Sequence, residues 1–169
     1  MLLIKNIGLL QTSVGTGCAR GIAQRENLKL RNAAILIERG KISEITSDGV
    51  LPACPRGIAE LDAKGLLVTP GLVDSHTHLV FGGWRQHEVQ LKLKGASYLE
   101  ILRAGGGILD TVRKTRAATE EELYNKSLRF LDEMLALGVT SVEAKSGYGL
   151  DLETELKQLR VLKALNQDH

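Results

Sequence analysis

The chain has 169 residues, of which 43% are hydrophobic and 25% charged, and its formal net charge is +2. This composition is typical of a globular protein of one domain, or of one domain and part of another, and it excludes a disordered chain. The near balance of charge gives no reason to expect nucleic acid or a membrane surface as a partner, and no apolar run approaches the ~20 residues that span a bilayer. The two cysteines, Cys18 and Cys54, form no C-x-x-C pair, so a reducing, cytoplasmic setting is expected.

Residues 1 to about 65 are predicted to form a small β-sheet, because short apolar runs alternate with turns and no helix-length periodic segment is present. Residues 33–38 (AAILIE) are typical of a strand, and Arg39-Gly40 then offers a turn into a partly alternating strand over residues 41–46. Two further short strands are expected at residues 58–62 and 66–68.

From Leu66 onward the pattern changes to strand, long loop, helix, strand and helix. Thr119 and Glu122 form a capping box for a helix that runs until Gly138. The β-branched residues 139–143 then predict a strand, and Asp151 can cap a last helix. This order favours parallel βα units, and therefore an α/β barrel or a doubly wound sheet.

Two histidines at the end of the predicted strand 72–78 carry the strongest chemical signal. Side chains alternate along a strand, so Asp74, His76 and His78 share one face. Two imidazoles on one face can converge on one metal ion, and imidazole suits zinc and iron. The alternative is a pair of hydrogen-bonded, inert surface histidines. The strand leads into a glycine-containing loop, and α/β barrels place their sites at such strand ends, which favours the metal site.

The segment LLVTPGLVDSHTHL resembles the first barrel strand of the amidohydrolase superfamily, with its P-G-x-x-D-x-H-x-H signature. The longer segments HTHLVFGGWRQHE, GASYLEILRAGGGILDTVRKTRAAT and GVTSVEAKSGYGLD are similar to the imidazolonepropionase family within it. The resemblance implies an α/β fold, a metal-dependent (β/α)8 TIM barrel preceded by a small β-sandwich segment. Residues 1–65 would form the sandwich segment and residues 66–169 the first βα units of the barrel. His76 and His78 would be ligands of one zinc or iron ion.

The same resemblance implies a hydrolase of histidine degradation that opens the ring of 4-imidazolone-5-propanoate to give N-formimidoyl-L-glutamate. It assigns substrate binding to Arg85 and Tyr148, whereas without it Arg85 would be a solvated charge and Tyr148 a loop side chain packed on its neighbours. A guanidinium suits either the imidazolone carbonyl or the propanoate carboxylate. Trp84 departs from the family pattern, where a small or polar residue is expected before the arginine.

Other candidate residues are assigned no role in the chemistry. Lys145 is interpreted as structural, no acid–base role is given to Glu143, and His87 and His169 match no ligand position. The run Gly105-Gly106-Gly107 lacks a following Gly-Lys-Ser/Thr, so it predicts a tight turn or a close approach of backbone to a ligand, rather than a phosphate loop.

A complete eight-fold barrel takes ~250 residues, and only about 100 residues follow Leu66. We therefore expect an N-terminal fragment with an incomplete barrel, inactive alone, whose acid–base group and remaining metal ligands lie beyond residue 169. A homodimer of the full-length enzyme is left open. Two alternatives also remain: another cyclic amidohydrolase or deaminase of the superfamily, and a non-catalytic remnant.

Overall fold

A computed structural model describes residues 1–15 and 17–169, which divide into two compact units, Met1–Pro70 and Gly71–His169. The first unit is a five-stranded sheet in which β1 pairs antiparallel with β2, and β2 pairs antiparallel with β3. On its other side β1 pairs in parallel with β4 and β5. The strands are β1 (Leu2–Ser13), β2 (Asn27–Glu38), β3 (Lys41–Thr46), β4 (Ala59–Asp62) and β5 (Leu67–Val68), and a 3₁₀ helix covers Gly21–Arg25.

The predicted strands of this unit are confirmed, and β2 is longer than expected because it begins at Asn27. Arg39 and Gly40 both have positive φ angles, of 51° and 74°, which is the geometry of a tight hairpin turn. Buried side chains from β1 and β2, including Ile7 and Ile35, form the core of the unit. The described residues of this unit form one sheet, and the β-sandwich implied by the resemblance stays a prediction.

The second unit begins with a strand and ends with a strand and a helix, and its two strands, β6 and β7, pair in parallel. The loop after the first strand contains three helices, and the sequence pattern did not reveal the first two of them. The elements are β6 (Leu72–Thr77), α1 (His87–Leu93), α2 (Tyr98–Arg103), α3 (Ile108–Ala117), α4 (Glu120–Ala136), β7 (Val139–Ala144) and α5 (Leu152–Asp168).

Capping interactions define the ends of the long helices. At the start of α4 the Thr119 hydroxyl accepts the Glu122 N–H at 3.1 Å, and the Glu122 carboxylate accepts the Thr119 N–H at 2.8 Å, so the predicted capping box is confirmed. Gly138, with a φ of 89°, follows the end of α4. The Asp151 carboxylate accepts the Thr154 N–H at 2.8 Å and caps α5, as the sequence predicted.

The core of the second unit lies between the segment after β6 and helices α4 and α5. Leu79, Val80, Leu123, Val161 and Leu165 are its buried members. The α/β class is therefore confirmed, whereas the barrel and its incompleteness stay predictions. Within the described residues, no helix is long and apolar enough to cross a bilayer.

Candidate metal and substrate site

The two candidate metal ligands lie at the carboxyl end of β6. His76 is the penultimate residue of the strand and is exposed, whereas His78 follows the strand and is half-buried. Their ring centroids are 5.7 Å apart, with an angle of 76° between the ring planes. The Asp74 carboxylate accepts the backbone N–H of His76 at 3.1 Å. The two imidazoles therefore lie beside each other, as the binding of one metal ion by both would require.

One polar atom of the histidine pair lacks a hydrogen-bond partner within residues 1–15 and 17–169. The Nδ1 atom of His78 is buried and has no hydrogen-bond partner among the described residues. Buried polar atoms without a partner are rare and costly in proteins, and an imidazole nitrogen is a favoured metal ligand. The two imidazoles therefore offer donors that suit a metal ion, and their assignment as its ligands stays a prediction. The part of the chain that the structure describes contains no group of three or more His, Cys, Asp or Glu side chains that could hold a metal by itself.

Tyr148 joins the histidines from the loop that follows β7. Its ring centroid lies 5.0 Å from that of His78, with an interplanar angle of 60°. Because β6 and β7 are parallel, the loops after both strands emerge at the same edge of the sheet. The Glu155 carboxylate of α5 accepts the backbone N–H groups of Gly149 and Leu150, at 2.7 and 2.9 Å, and so anchors the loop that carries Tyr148.

The residue before Tyr148 is Gly147, and the position of His78 requires a glycine there. A Cβ atom at Gly147 would lie 2.6 Å from Cε1 and 3.0 Å from Nδ1 of the His78 ring. These distances are shorter than van der Waals contact, so only a glycine lets the loop backbone pass this close to the imidazole.

The loop after β6, residues 81–86, packs closely on α3. A Cβ atom at Gly82 would lie 2.2 Å from the backbone carbonyl oxygen of Lys114, and the Gly82 N–H donates to the Thr115 hydroxyl at 2.9 Å. The Lys114 ammonium donates to the Trp84 carbonyl at 3.0 Å. The two glycines of the GGWR segment are therefore explained by close packing between this loop and a helix.

Aromatic side chains connect this loop with α4 and with Tyr148. The Phe81 ring lies 4.9 Å from the Trp84 ring and 6.1 Å from the Tyr148 ring, measured between centroids. Trp84 also contacts Phe130, with centroids 5.6 Å apart. Trp84, which departs from the family pattern, thus packs the loop against α4.

Lys126 lies beside this aromatic group. Its ammonium donates to the Phe81 carbonyl at 2.9 Å and lies 3.5 Å from the centroid of the Phe81 ring. Burial, with smaller contributions from the positive charges of Arg129 and Lys114, lowers the pKa of Lys126 to about 8.

Arg85 is half-buried, and its ion-pair partner is a residue of the next helix. Its Nη1 atom lies 3.7 Å from a carboxylate oxygen of Glu88, whose side chain is only 3% exposed. The interactions of the described residues do not connect the guanidinium with His76, His78 or Tyr148. The assignment of Arg85 to substrate binding therefore stays a prediction. The buried ion-pair partner, Glu88, was given no role in the sequence analysis.

The remaining candidates have partners of their own. Lys145 forms an ion pair with Glu143, and its hydrogen bond lowers the pKa of the Glu143 carboxyl below the ordinary value. His87 lies 3.7 Å from the carboxylate of Asp110, and His169 lies 3.1 Å from that of Asp132. These contacts involve neither His76 nor His78.

A separate concave surface of about 750 Å³ lies between α4, β7 and α5. Its lining is largely apolar and includes Leu131, Met134, Leu159 and Leu162, but neither histidine of the pair. Size alone therefore does not identify the candidate site, which is defined by the imidazoles and the tyrosine.

Comparison with solved structures shows a shared fold. The chain is similar to guanine deaminase from E. coli, with a TM-score of 0.55 and 16% sequence identity, over 99% of this chain and 35% of that one. At this identity the similarity shows the fold alone.

Curated sequences then give the particular relatives. The chain is 49% identical over 172 residues to the imidazolonepropionase of Alkaliphilus metalliredigens, covering 99% of this chain and 40% of the relative. It is 51% identical over 165 residues to that of Fusobacterium nucleatum, covering 97% and 40%. No protein-family model matches the chain. The chain spans about two-fifths of the length of these relatives, and the predicted resemblance to imidazolonepropionase sequences is confirmed.

Proposed function

We propose that this chain is the N-terminal part of an imidazolonepropionase, a hydrolase that opens the ring of 4-imidazolone-5-propanoate to N-formimidoyl-L-glutamate. The observation that carries the proposal is the similarity of nearly the whole chain to enzymes of that name. The juxtaposition of His76, His78 and Tyr148 at one edge of a parallel strand pair supports it, because this is where barrel enzymes place their chemistry.

His76 and His78 would hold one zinc or iron ion, and the unpartnered Nδ1 atom of His78 supports this assignment. When bound, such an ion supplies Lewis-acid chemistry for the attack of water on a carbonyl. A catalytic zinc site usually has three protein ligands, so the remaining ligands and the proton-transfer group would come from outside residues 1–169.

Arg85 and Tyr148 would bind and orient the substrate. The guanidinium of Arg85 can donate charge-assisted hydrogen bonds to the propanoate carboxylate or the ring carbonyl, and the Tyr148 hydroxyl can donate one more. In the reaction the water oxygen bonds to the ring carbonyl carbon, the adjacent carbon–nitrogen bond breaks, and the released nitrogen takes up a proton. Positioning the carbonyl for this attack is the contribution that these two side chains would make.

The test is a chimeric enzyme in which this chain replaces the matching segment of the Fusobacterium nucleatum imidazolonepropionase. We expect the chimera to hydrolyse 4-imidazolone-5-propanoate and to leave guanine, dihydroorotate and hydantoin unchanged. The unmodified Fusobacterium enzyme is the positive control. A folded chimera that prefers one of the other substrates, or that has no hydrolase activity, would contradict the proposal.

A further inference from the structure

The carboxylate of Glu88, in the first turn of α1, is a buried charge to which the proposed function gives no role. Its side chain is 3% exposed, and carboxylates are seldom buried unless donors and cations surround them. Its Oε1 atom accepts the backbone N–H of Gly107 at 2.6 Å. Its Oε2 atom lies 3.7 Å from Nη1 of Arg85 and 3.9 Å from Nζ of Lys92. Glu88 thus connects two loops that are distant in sequence.

The triple-glycine run makes this connection sterically feasible. A Cβ atom at Gly106 would lie 2.9 Å from Oε1 of Glu88 and 2.8 Å from Cγ2 of Ile101. Gly107 has a φ of 74° and precedes the first residue of α3. The run predicts a tight turn or a close approach of backbone to a ligand, and in the structure its backbone lies close to a carboxylate of the same chain. With Oε1 held by Gly107, the second oxygen faces Arg85.

We propose that Glu88 is the positioning residue for Arg85, an inference that rests on the proposed role of Arg85 in substrate binding. A guanidinium has five N–H donors in a rigid plane, and its Nη1 atom is the one that lies 3.7 Å from the Glu88 carboxylate. The other N–H groups are left to meet a carbonyl or carboxylate of the substrate. Without the Glu88 charge, the guanidinium would have to be ordered by the substrate itself.

The substitution Glu88→Gln tests this in the chimeric enzyme, because the glutamine carbonyl can still accept the Gly107 N–H while the negative charge beside Arg85 is lost. We expect KM to rise about tenfold, within the range of pairwise couplings between contacting residues, while kcat stays within about twofold. Lys92→Ala is the matched control, because it removes the other cation beside Glu88 without touching Arg85, and it should leave both constants near the parental values.

A double-variant comparison separates positioning from general stabilisation. If Glu88 acts through Arg85, Glu88→Gln should cause no further loss of kcat/KM when Arg85 is already alanine. Losses that multiply in the double variant would overturn the inference. A KM in Glu88→Gln equal to that of the parent would also overturn the inference.

A second measurement does not depend on turnover. In the chimera with labelled arginine, the guanidinium NMR signals of Arg85, assigned with Arg85→Lys, should shift and lose their restricted rotation in Glu88→Gln but not in Lys92→Ala. If the parent chimera were inactive but these signals changed as expected, the proposed function would fail while the positioning of Arg85 stood. Unchanged signals would overturn the positioning whatever the activity.

Discussion

Replacing Gly147 by alanine should damage the candidate metal site without removing any ligand. The added Cβ atom would lie 2.6 Å from Cε1 of His78, so the imidazole must retreat by about 0.8 Å to reach ordinary van der Waals contact at 3.4 Å. Misplacement of a catalytic group by ~1 Å can cost about a hundredfold in rate. In the chimeric enzyme we therefore expect kcat/KM to fall by about a hundredfold, together with the zinc or iron content after dialysis.

The control for this experiment is Gly95→Ala. Gly95 has a φ of 87°, and no neighbouring atom lies within 4 Å of the position that a Cβ atom would take there. Alanine at this position therefore adds left-handed backbone strain of about 1 kcal/mol without touching a histidine. It should lower the melting temperature slightly and leave the metal content unchanged. Parental metal content and kcat/KM in a folded Gly147→Ala enzyme would refute the reasoning, because His78 could then not be a constrained ligand.

Four further outcomes are expected. The double substitution His76→Ala/His78→Ala should abolish metal uptake and activity together, which metal analysis after dialysis checks; equal occupancy in variant and parent would count against the ligand assignment. Arg85→Ala should lower kcat/KM about ten- to hundredfold, because a charge-assisted contact of ~1.5–3 kcal/mol is lost. Tyr148→Phe should lower kcat/KM by less. Unchanged kinetics in Arg85→Ala would show that Arg85 is a surface charge. The pKa of Lys126 is about 8 in the folded chain, against an ordinary value of 10.5. Between these pH values the unfolded chain therefore binds more protons than the folded chain. The free energy of unfolding should rise with pH across that window. Urea unfolding of Lys126→Met should lack this rise, and a parallel pH profile would contradict the burial of the ammonium. The isolated 169-residue chain should be inactive and should self-associate through exposed apolar side chains of α4 and α5; a monodisperse, active monomer on size-exclusion chromatography would disprove this.

Features that depend on neighbours in sequence could be predicted from the sequence. Strand alternation indicated that His76 and His78 lie side by side, and the structure places their rings 5.7 Å apart. The capping box at Thr119 needs only four consecutive residues, and it was found where expected. The turn at Arg39-Gly40 is equally local, since its two left-handed residues lie between strands that pair with each other.

Features that depend on packing could not be predicted in the same way. Helices α1 and α2 have seven and six residues, too few for an apolar period to be recognised. The burial of Glu88 depends on Gly107, 19 residues later, and no spacing rule connects the two. Tyr148 approaches His78 because β6 and β7 are parallel neighbours, and the resemblance to a known family, rather than any residue pattern, indicated its role.

The attachment of the loop after β6 bears on the entropy of ligand binding. Its carbonyls at Phe81 and Trp84 are bound by lysine ammonium groups from two different helices, and its Gly82 N–H is bound by Thr115. A loop held at three points by side chains of α3 and α4 loses its conformational freedom when the helices fold. A ligand that reaches Arg85 therefore meets a preorganised backbone and does not bear the cost of ordering it.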